Sequence, residues 1–222
     1  MNFAKLGLIE PLLRTLQQLD YTTPTPVQAQ AIPAVLAGRD LMAAAQTGTG
    51  KTAGFALPVL QRLALEGEKV ASNSIRALVL VPTRELAEQV HNNVREYAEN
   101  LPLSTYAVYG GVSINPQMMR LRRGVDLLVA TPGRLLDLFR QNAVKFNQVQ
   151  TLVLDEADRM LDLGFAEELQ SLSTFSPSSA RRCSTGRAKP AVLPVPVCAA
   201  AIRSRPASTA GMALACTGVG VV

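Results

Sequence analysis

The sequence predicts an α/β domain: a parallel β-sheet with helices on both faces. Short β-rich runs alternate with longer helical patterns, the stretches between runs are long enough for crossover helices, and two of the runs are apolar at nearly every position. Alternation with long connections implies parallel pairing, and strands apolar throughout are those covered by helices on both sides.

The β-rich runs, in order, are "DLMAAA" (40–45), "ALVLV" (77–81), "TYAVY" (105–109), "DLLVA" (126–130) and "TLVLD" (151–155). Helical patterns run about Pro26 to Leu36, Lys51 to Leu65, Arg84 to Asn100 and Pro132 to Arg140. Proline opens two of them, where its missing N–H costs nothing. The stretch "EGEKVASNS" (66–74) has the polarity of an exposed connector. No internal repeat is present.

Length and composition set the bounds. A chain of 222 residues that is 48% hydrophobic is sufficient for one sizeable core. Its net charge of +5 is unevenly spread: residues 1–170 carry 16 Lys and Arg against all 17 acids, and residues 171–222 carry six basic residues and no acid. The basic balance therefore argues nothing about nucleic acid in the first 170 residues. Cys183, Cys198 and Cys216 are widely spaced, unlike the close pairs of metal sites. The N-terminus lacks a basic stretch followed by a long apolar run, and no window approaches a membrane span, so a cytoplasmic protein with no membrane partner is expected.

Chemistry enters with "AAAQTGTGKTAGF", which follows a predicted strand and opens a predicted helix. Glycines at 48 and 50 let the backbone N–H groups curl toward phosphate oxygens, and the helix start adds the positive end of its dipole. In such a loop Lys51 binds the β- and γ-phosphates and Thr52 holds Mg²⁺. The strict pattern has glycine where this chain has Ala45, and a plain turn remains the alternative for this stretch alone. The second element is "TLVLDEADRMLDLGF", in which a strand delivers Asp155 and Glu156 at its C-terminal end. A metal-binding carboxylate followed by a base that activates water fits that position. A helix cap is the bland alternative, since acids favour first turns.

Asp155 to Asp158 spell "DEAD". With "AQTGTGKT" (45–52), "PTRELA" (82–87), "GG" (110–111), "TPGR" (131–134) and "PTPVQ" (24–28), the chain resembles the first RecA-like domain of the DEAD-box RNA helicases, most closely the bacterial RhlE-type subgroup. The resemblance covers residues 1–170, with the glutamine-bearing Q motif in 1–29. That family writes its phosphate loop with alanine first, which accounts for Ala45.

The resemblance implies ATP and Mg²⁺ as cofactors and RNA as partner. Tyr21 and Gln28 would bind adenine, and Gln46, Thr47, Gly48, Thr49, Gly50, Lys51 and Thr52 the phosphates. Thr52 and Asp155 would hold Mg²⁺, partly through water, and Glu156 would position the attacking water. Asp158 would couple to a Ser-Ala-Thr motif. Asp20 stands where the family usually has glycine. Pro82, Thr83, Arg84, Gly110, Gly111, Thr131, Pro132, Gly133 and Arg134 would grip the RNA backbone without reading sequence. Taken without the family, the glycine pair is a turn and Thr131 to Gly133 the start of a helix. His91 and the basic cluster Arg120, Arg122 and Arg123 are expected to be structural or solvated.

Beyond about Gln170 the pattern changes. Residues 171–222 hold all three cysteines, five prolines and ten alanines, and "AVLPVPVCAAAI" is the only β-like run. Pro194 and Pro196 make it a poor central strand. In the family a Ser-Ala-Thr motif follows the strand next after "DEAD", and this chain offers only "SLSTFSPSS". The expectation is a RecA-like domain lacking that strand (motif III), followed by an unrelated tail, disordered or translated out of frame, with no second RecA-like domain. The family function is ATP hydrolysis coupled to local RNA unwinding, and this chain alone is expected to bind ATP and RNA without unwinding. Two alternatives are a non-catalytic nucleotide- or RNA-binding module and an inactive gene remnant.

Overall fold

A computed structural model of the chain describes residues 2–44, 48–168, 200–203 and 220–221. After a 3-10 turn at Phe3–Leu6, the helices are α1 (Glu10–Gln18), α2 (Pro26–Leu36), α3 (Lys51–Glu66), α4 (Arg84–Tyr97), α5 (Ile114–Leu121), α6 (Pro132–Arg140) and α7 (Ala157–Asp162). The strands are β1 (Leu41–Ala44), β2 (Ile75–Leu80), β3 (Thr105–Val108), β4 (Val125–Ala130), β5 (Thr151–Asp155), β6 (Ala200–Arg203) and β7 (Gly220–Val221). They form one sheet in the order β3-β4-β2-β5-β6-β1-β7, with every pairing parallel.

Alternation along the central strands builds two cores. Ala77 and Val79 of β2, Leu127 and Val129 of β4 and Val153 of β5 face the cluster made with α1 to α4. Leu78, Leu80, Leu128 and Ala130 face a second cluster with Leu121 of α5, Leu135 and Leu138 of α6 and Met160 of α7. Both faces of β2 and β4 are thereby buried along their whole length, which is why those segments carry almost no polar residue.

Two polar residues do lie in that layer, Arg76 of β2 and Asp126 of β4. Arg76 of β2 is fully buried, and its guanidinium donates to Leu63 O (3.0 Å), Asp126 Oδ1 (3.1 Å) and Glu66 Oε2 (3.1 Å). Ser104 N and Oγ donate to the other oxygen of Asp126, at 2.9 and 3.0 Å. A buried charge persists only when paired and hydrogen-bonded in this way. The network joins the C-terminal end of α3 to the starts of β2, β3 and β4, away from the edge that bears the motifs.

The place between β1 and β5, expected to stand empty, is filled. Ala200–Arg203 pairs with Leu41–Ala44 on one side and, through Ala200–Ile202, with Val153–Asp155 on the other. The strand takes in only the proline-free end of the run "AVLPVPVCAAAI"; Pro194, Pro196, the cysteines and "SLSTFSPSS" lie outside the described residues. The physical reason is that β1 and β5 each present an inward row of unpaired N–H and C=O groups, which an apolar extended segment satisfies. Among the described residues no helix is long and apolar enough to cross a membrane.

Candidate ATP and RNA site

Five of the six predicted motifs fall at the C-terminal end of a strand: the phosphate loop after β1, Pro82–Arg84 after β2, Gly110–Gly111 after β3, Thr131–Arg134 after β4 and Asp155–Asp158 at the end of β5; the sixth, residues 24–28, opens α2. In open parallel sheets ligands bind along this edge.

Gly48 and Gly50 both adopt left-handed backbone, with φ of 86° and 80°, and Gly50 caps α3. A larger residue at position 50 would be strained by this backbone, and its Cβ would collide with the Gln28 amide. Gln46 and Thr47 lie outside the described residues. Lys51 opens α3 and is buried, yet its Nζ has no hydrogen-bond partner, and the same holds for Oδ1 of Asp155. Burial pushes the Asp155 carboxyl up to about 6, the Lys51 ammonium opposes that rise, and the charges of Glu156 and Asp158 add to it. Two buried, unsatisfied, oppositely charged groups at one strand edge form a site short of a ligand: a polyanion for the ammonium and a cation for the carboxylate. That donor set suits a Mg²⁺–nucleotide, with half-buried Thr52 one residue along α3.

Glu156 caps α7 in left-handed backbone (φ 54°), which is costly for a non-glycine residue, and its Oε2 accepts from Arg159 Nη1 at 3.1 Å. Asp158 sits in the first turn of α7.

Of the residues expected to bind adenine, Gln28 is buried at the third position of α2 and completes a capping box with Thr25. Its Oε1 accepts from Thr25 N (3.0 Å) and its Nε2 donates to Gly50 O (3.0 Å), so the amide expected to read a base also ties α2 to the phosphate loop. Tyr21 is exposed, lies near Phe3 and Tyr97 and shares a hydroxyl contact with Tyr97 at 3.3 Å. Asp20 takes left-handed backbone (φ 59°), which explains why glycine suits that position; aspartate is among the few other residues that tolerate it.

The residues expected to face RNA come together. Thr83 caps α4 by accepting from Leu86 N at 3.3 Å, and Arg84 lies over the Tyr109 ring at 5.1 Å. Arg84 also adjoins Gly111 (φ 80°), and Gly110 beside it has open space where a side chain would stand, so the pair brings backbone to the surface. Thr131 and Pro132 start α6 and are buried. Arg134 is not free to leave: it donates to Val112 O (2.8 Å) and Gln117 Oε1 (3.0 Å), and Gln117 in turn donates to Tyr109 O (3.2 Å). The loops after β3 and β4 are thus one unit.

Sequence reading missed Gln117, Arg159 and Arg76. Only Arg76 left a signal, as a lone charge inside an apolar strand. His91, expected to be structural, is partly buried and within 3.2 Å of Thr105 Oγ1.

Comparison with known proteins bears on the whole arrangement. A family model described as DEAD/DEAH box helicase matches residues 25–186, past the boundary that composition sets near 170. The RNA helicase CrhR of Synechocystis sp. is 43% identical over 176 residues, 79% of this chain and 35% of the relative. The DEAD-box ATP-dependent RNA helicase RhpA of Helicobacter pylori is 41% identical over 180 residues, 81% and 35% respectively. The DEAD-box ATP-dependent RNA helicase 28 of Oryza sativa subsp. japonica is 45% identical over 177 residues, 79% and 22%. The chain spans about a third or less of the curated relatives it matches. With a phosphate loop, an acid pair and three backbone-presenting loops in family order on one sheet edge, and a family model across most of its length, the chain belongs to the DEAD/DEAH box helicase family.

Proposed function

We propose that this chain is the ATP- and RNA-contacting first RecA-like domain of an ATP-dependent RNA helicase, in which ATP hydrolysis drives local unwinding of RNA duplexes. The observation that supports it most is the pair of buried, unsatisfied groups, Lys51 Nζ and Asp155 Oδ1, beside a left-handed glycine loop at the strand edge.

Lys51 and the amides of the loop from Gln46 to Thr52 hold the phosphates; Thr52 and Asp155 hold Mg²⁺, partly through water. With the ion held there by Thr52 and Asp155, phosphate charge would be neutralised. Glu156 orients the attacking water once it leaves Arg159, and Gln28 and Tyr21 receive the adenine. Asp158 transmits the state of the site to a Ser-Ala-Thr segment. Pro82, Thr83, Arg84, Gly110, Gly111 and Thr131 to Arg134 hold the sugar–phosphate chain, in a cytoplasmic protein of the RhlE-type subgroup.

Unwinding in this family clamps RNA and ATP between two RecA-like domains, so this chain alone binds both without separating strands. We read residues 171–222 as text translated out of frame in a longer gene, on the strength of the abrupt change in composition.

RNA-stimulated phosphate release from the purified chain, compared with Glu156→Gln, tests the activity. Release that the variant loses while still binding an ATP analogue supports hydrolysis at this site. Binding without release in either protein points to a non-catalytic module, and the lack of a cooperative unfolding transition points to a gene remnant. Sequencing the coding DNA past codon 160 in all three frames tests the tail: a second domain in a neighbouring frame supports it, and barren frames overturn it.

A further inference from the structure

Gln117 belongs to none of the sequence motifs, yet it stands where two of the loops expected to hold RNA meet. It lies in α5 with its side chain buried and both ends of the amide in use: Nε2 donates to Tyr109 O at 3.2 Å, and Oε1 accepts from Arg134 Nη1 at 3.0 Å. An amide is the side chain that can serve a carbonyl and a guanidinium at once, because it both donates and accepts.

We propose that Gln117 is a positioning residue of the RNA surface: it holds Gly110–Gly111 and Thr131–Arg134 in their binding arrangement before RNA arrives, without touching the strand itself. The inference rests on the RNA reading of those loops and adds to it a residue from outside the motifs.

Three observations carry it. First, the loop after β3 has little of its own to fix its shape. Gly110 and Gly111 have no side chain to pack, Gly111 takes left-handed backbone, and glycine has more conformational freedom to lose than any other residue. An anchor must come from outside the loop, and Gln117 supplies one at Tyr109 O, one residue upstream. Second, Arg134 depends on the same amide. Its Nη2 donates to Val112 O at 2.8 Å and its Nη1 to Gln117, while its Nε is buried with no hydrogen-bond partner. Without Gln117 a second donor of this guanidinium would lose its acceptor. Third, the other tie among these loops lies in water. Arg84 and Glu88 pair at 3.3 Å with both side chains about half exposed, whereas Gln117 is 5% exposed. A hydrogen bond screened from solvent holds its groups more firmly than an exposed ion pair. Loops fixed in advance spare the strand the cost of ordering them on binding.

The test compares wild type, Gln117→Met and Arg84→Ala, each as the purified full chain, by anisotropy of fluorescein-labelled oligo(U) across a salt series and by titration with a fluorescent ATP analogue. Methionine keeps the length of the side chain and suits a helix, and it loses both hydrogen bonds. Gln117→Met is expected to weaken oligo(U) binding about tenfold while the affinity for the ATP analogue stays within about twofold of wild type. Since no phosphate contact is removed, the salt dependence of that binding should keep its slope, whereas Arg84→Ala should reduce the slope by about 0.7. Backbone relaxation of isotope-labelled wild type, which needs no variant to fold, should give Gly110 and Gly111 order parameters of about 0.85 without RNA. Order parameters below about 0.6 that rise only when oligo(U) is added overturn the proposal. So does unchanged oligo(U) affinity in Gln117→Met, a slope reduced as in Arg84→Ala, or an equal loss of RNA and nucleotide binding. If Arg84→Ala still weakens binding in those cases, the RNA reading stands alone. Failure of wild type to bind oligo(U) overturns both.

Discussion

Gln28 clasps Gly50: its Nε2 donates to the Gly50 carbonyl at 3.0 Å while its Oε1 accepts from Thr25 N at the same distance. One buried amide therefore fixes the start of α2 and the end of the phosphate loop together. Gln28→Glu keeps the acceptor and deletes the donor, leaving a carboxylate against a carbonyl oxygen. The expected result is a loss of about 1–3 kcal/mol in stability, with weaker binding of a fluorescent ATP analogue. Denaturant titration and nucleotide titration measure the two effects separately.

Breaking the buried ion pair between Arg76 and Asp126 should be among the most damaging changes in the sheet. Asp126→Ala takes the more buried of two carboxylates from a guanidinium that is 1% exposed and leaves it only the partly exposed Glu66, at a cost of about 3 kcal/mol. Arg76→Met combined with Asp126→Leu removes both charges and should recover most of that loss. Equal urea midpoints for the single and double variants would count against a net role for the pair.

His91 should make stability depend on pH. Burial depresses its pKa below the ordinary 6.5, the Thr105 hydrogen bond partly offsets this, and the nearby Arg95 depresses it further. Below 6.5 the unfolded chain takes up a proton that the folded chain resists, so this contribution is complete above that pH and is lost as pH falls toward the depressed folded value. Urea midpoints of wild type should therefore fall more steeply than those of His91→Asn between about pH 8 and about pH 5. Parallel pH profiles would refute the assignment.

The strand in the middle of the sheet can be tested through its backbone alone. Ile202 stands opposite Ala43 on one side and Asp155 on the other. Ile202→Pro takes its amide donor out of a central ladder, a place where proline is not tolerated. The thermal midpoint should drop, by the equivalent of about 1–3 kcal/mol for the lost group. An unchanged midpoint would mean that β6 contributes nothing to folding.

How far the sequence could be read depended on whether a feature was local. Strands β1 to β5 and helices α2, α3, α4 and α6 stand where periodicity and proline placement put them, because each signal lies within its own segment. Pro33 and Pro58 argue for breaks but lie inside α2 and α3, where burial of the surrounding face outweighs the lost hydrogen bond. Helix α5 was not foreseen, since "INPQMMRL" is short and has Pro116 near its start. The site's residue types were legible because glycine, lysine and paired acids at strand ends have few other uses. Their internal partners were not: Arg76 meets Asp126 from 50 residues away and Arg134 meets Gln117 from 17. The central strand was misjudged for the same reason, because the demand for it comes from the open edges of β1 and β5.

Arg134 binds the loop after β4 to the loop after β3 through Val112 and Gln117, and Gln117 reaches back to Tyr109. A polynucleotide laid across these loops meets a stiff ledge. On the proposed RNA reading, the strand rather than the protein would bend to fit, and a straight duplex would match such a ledge poorly.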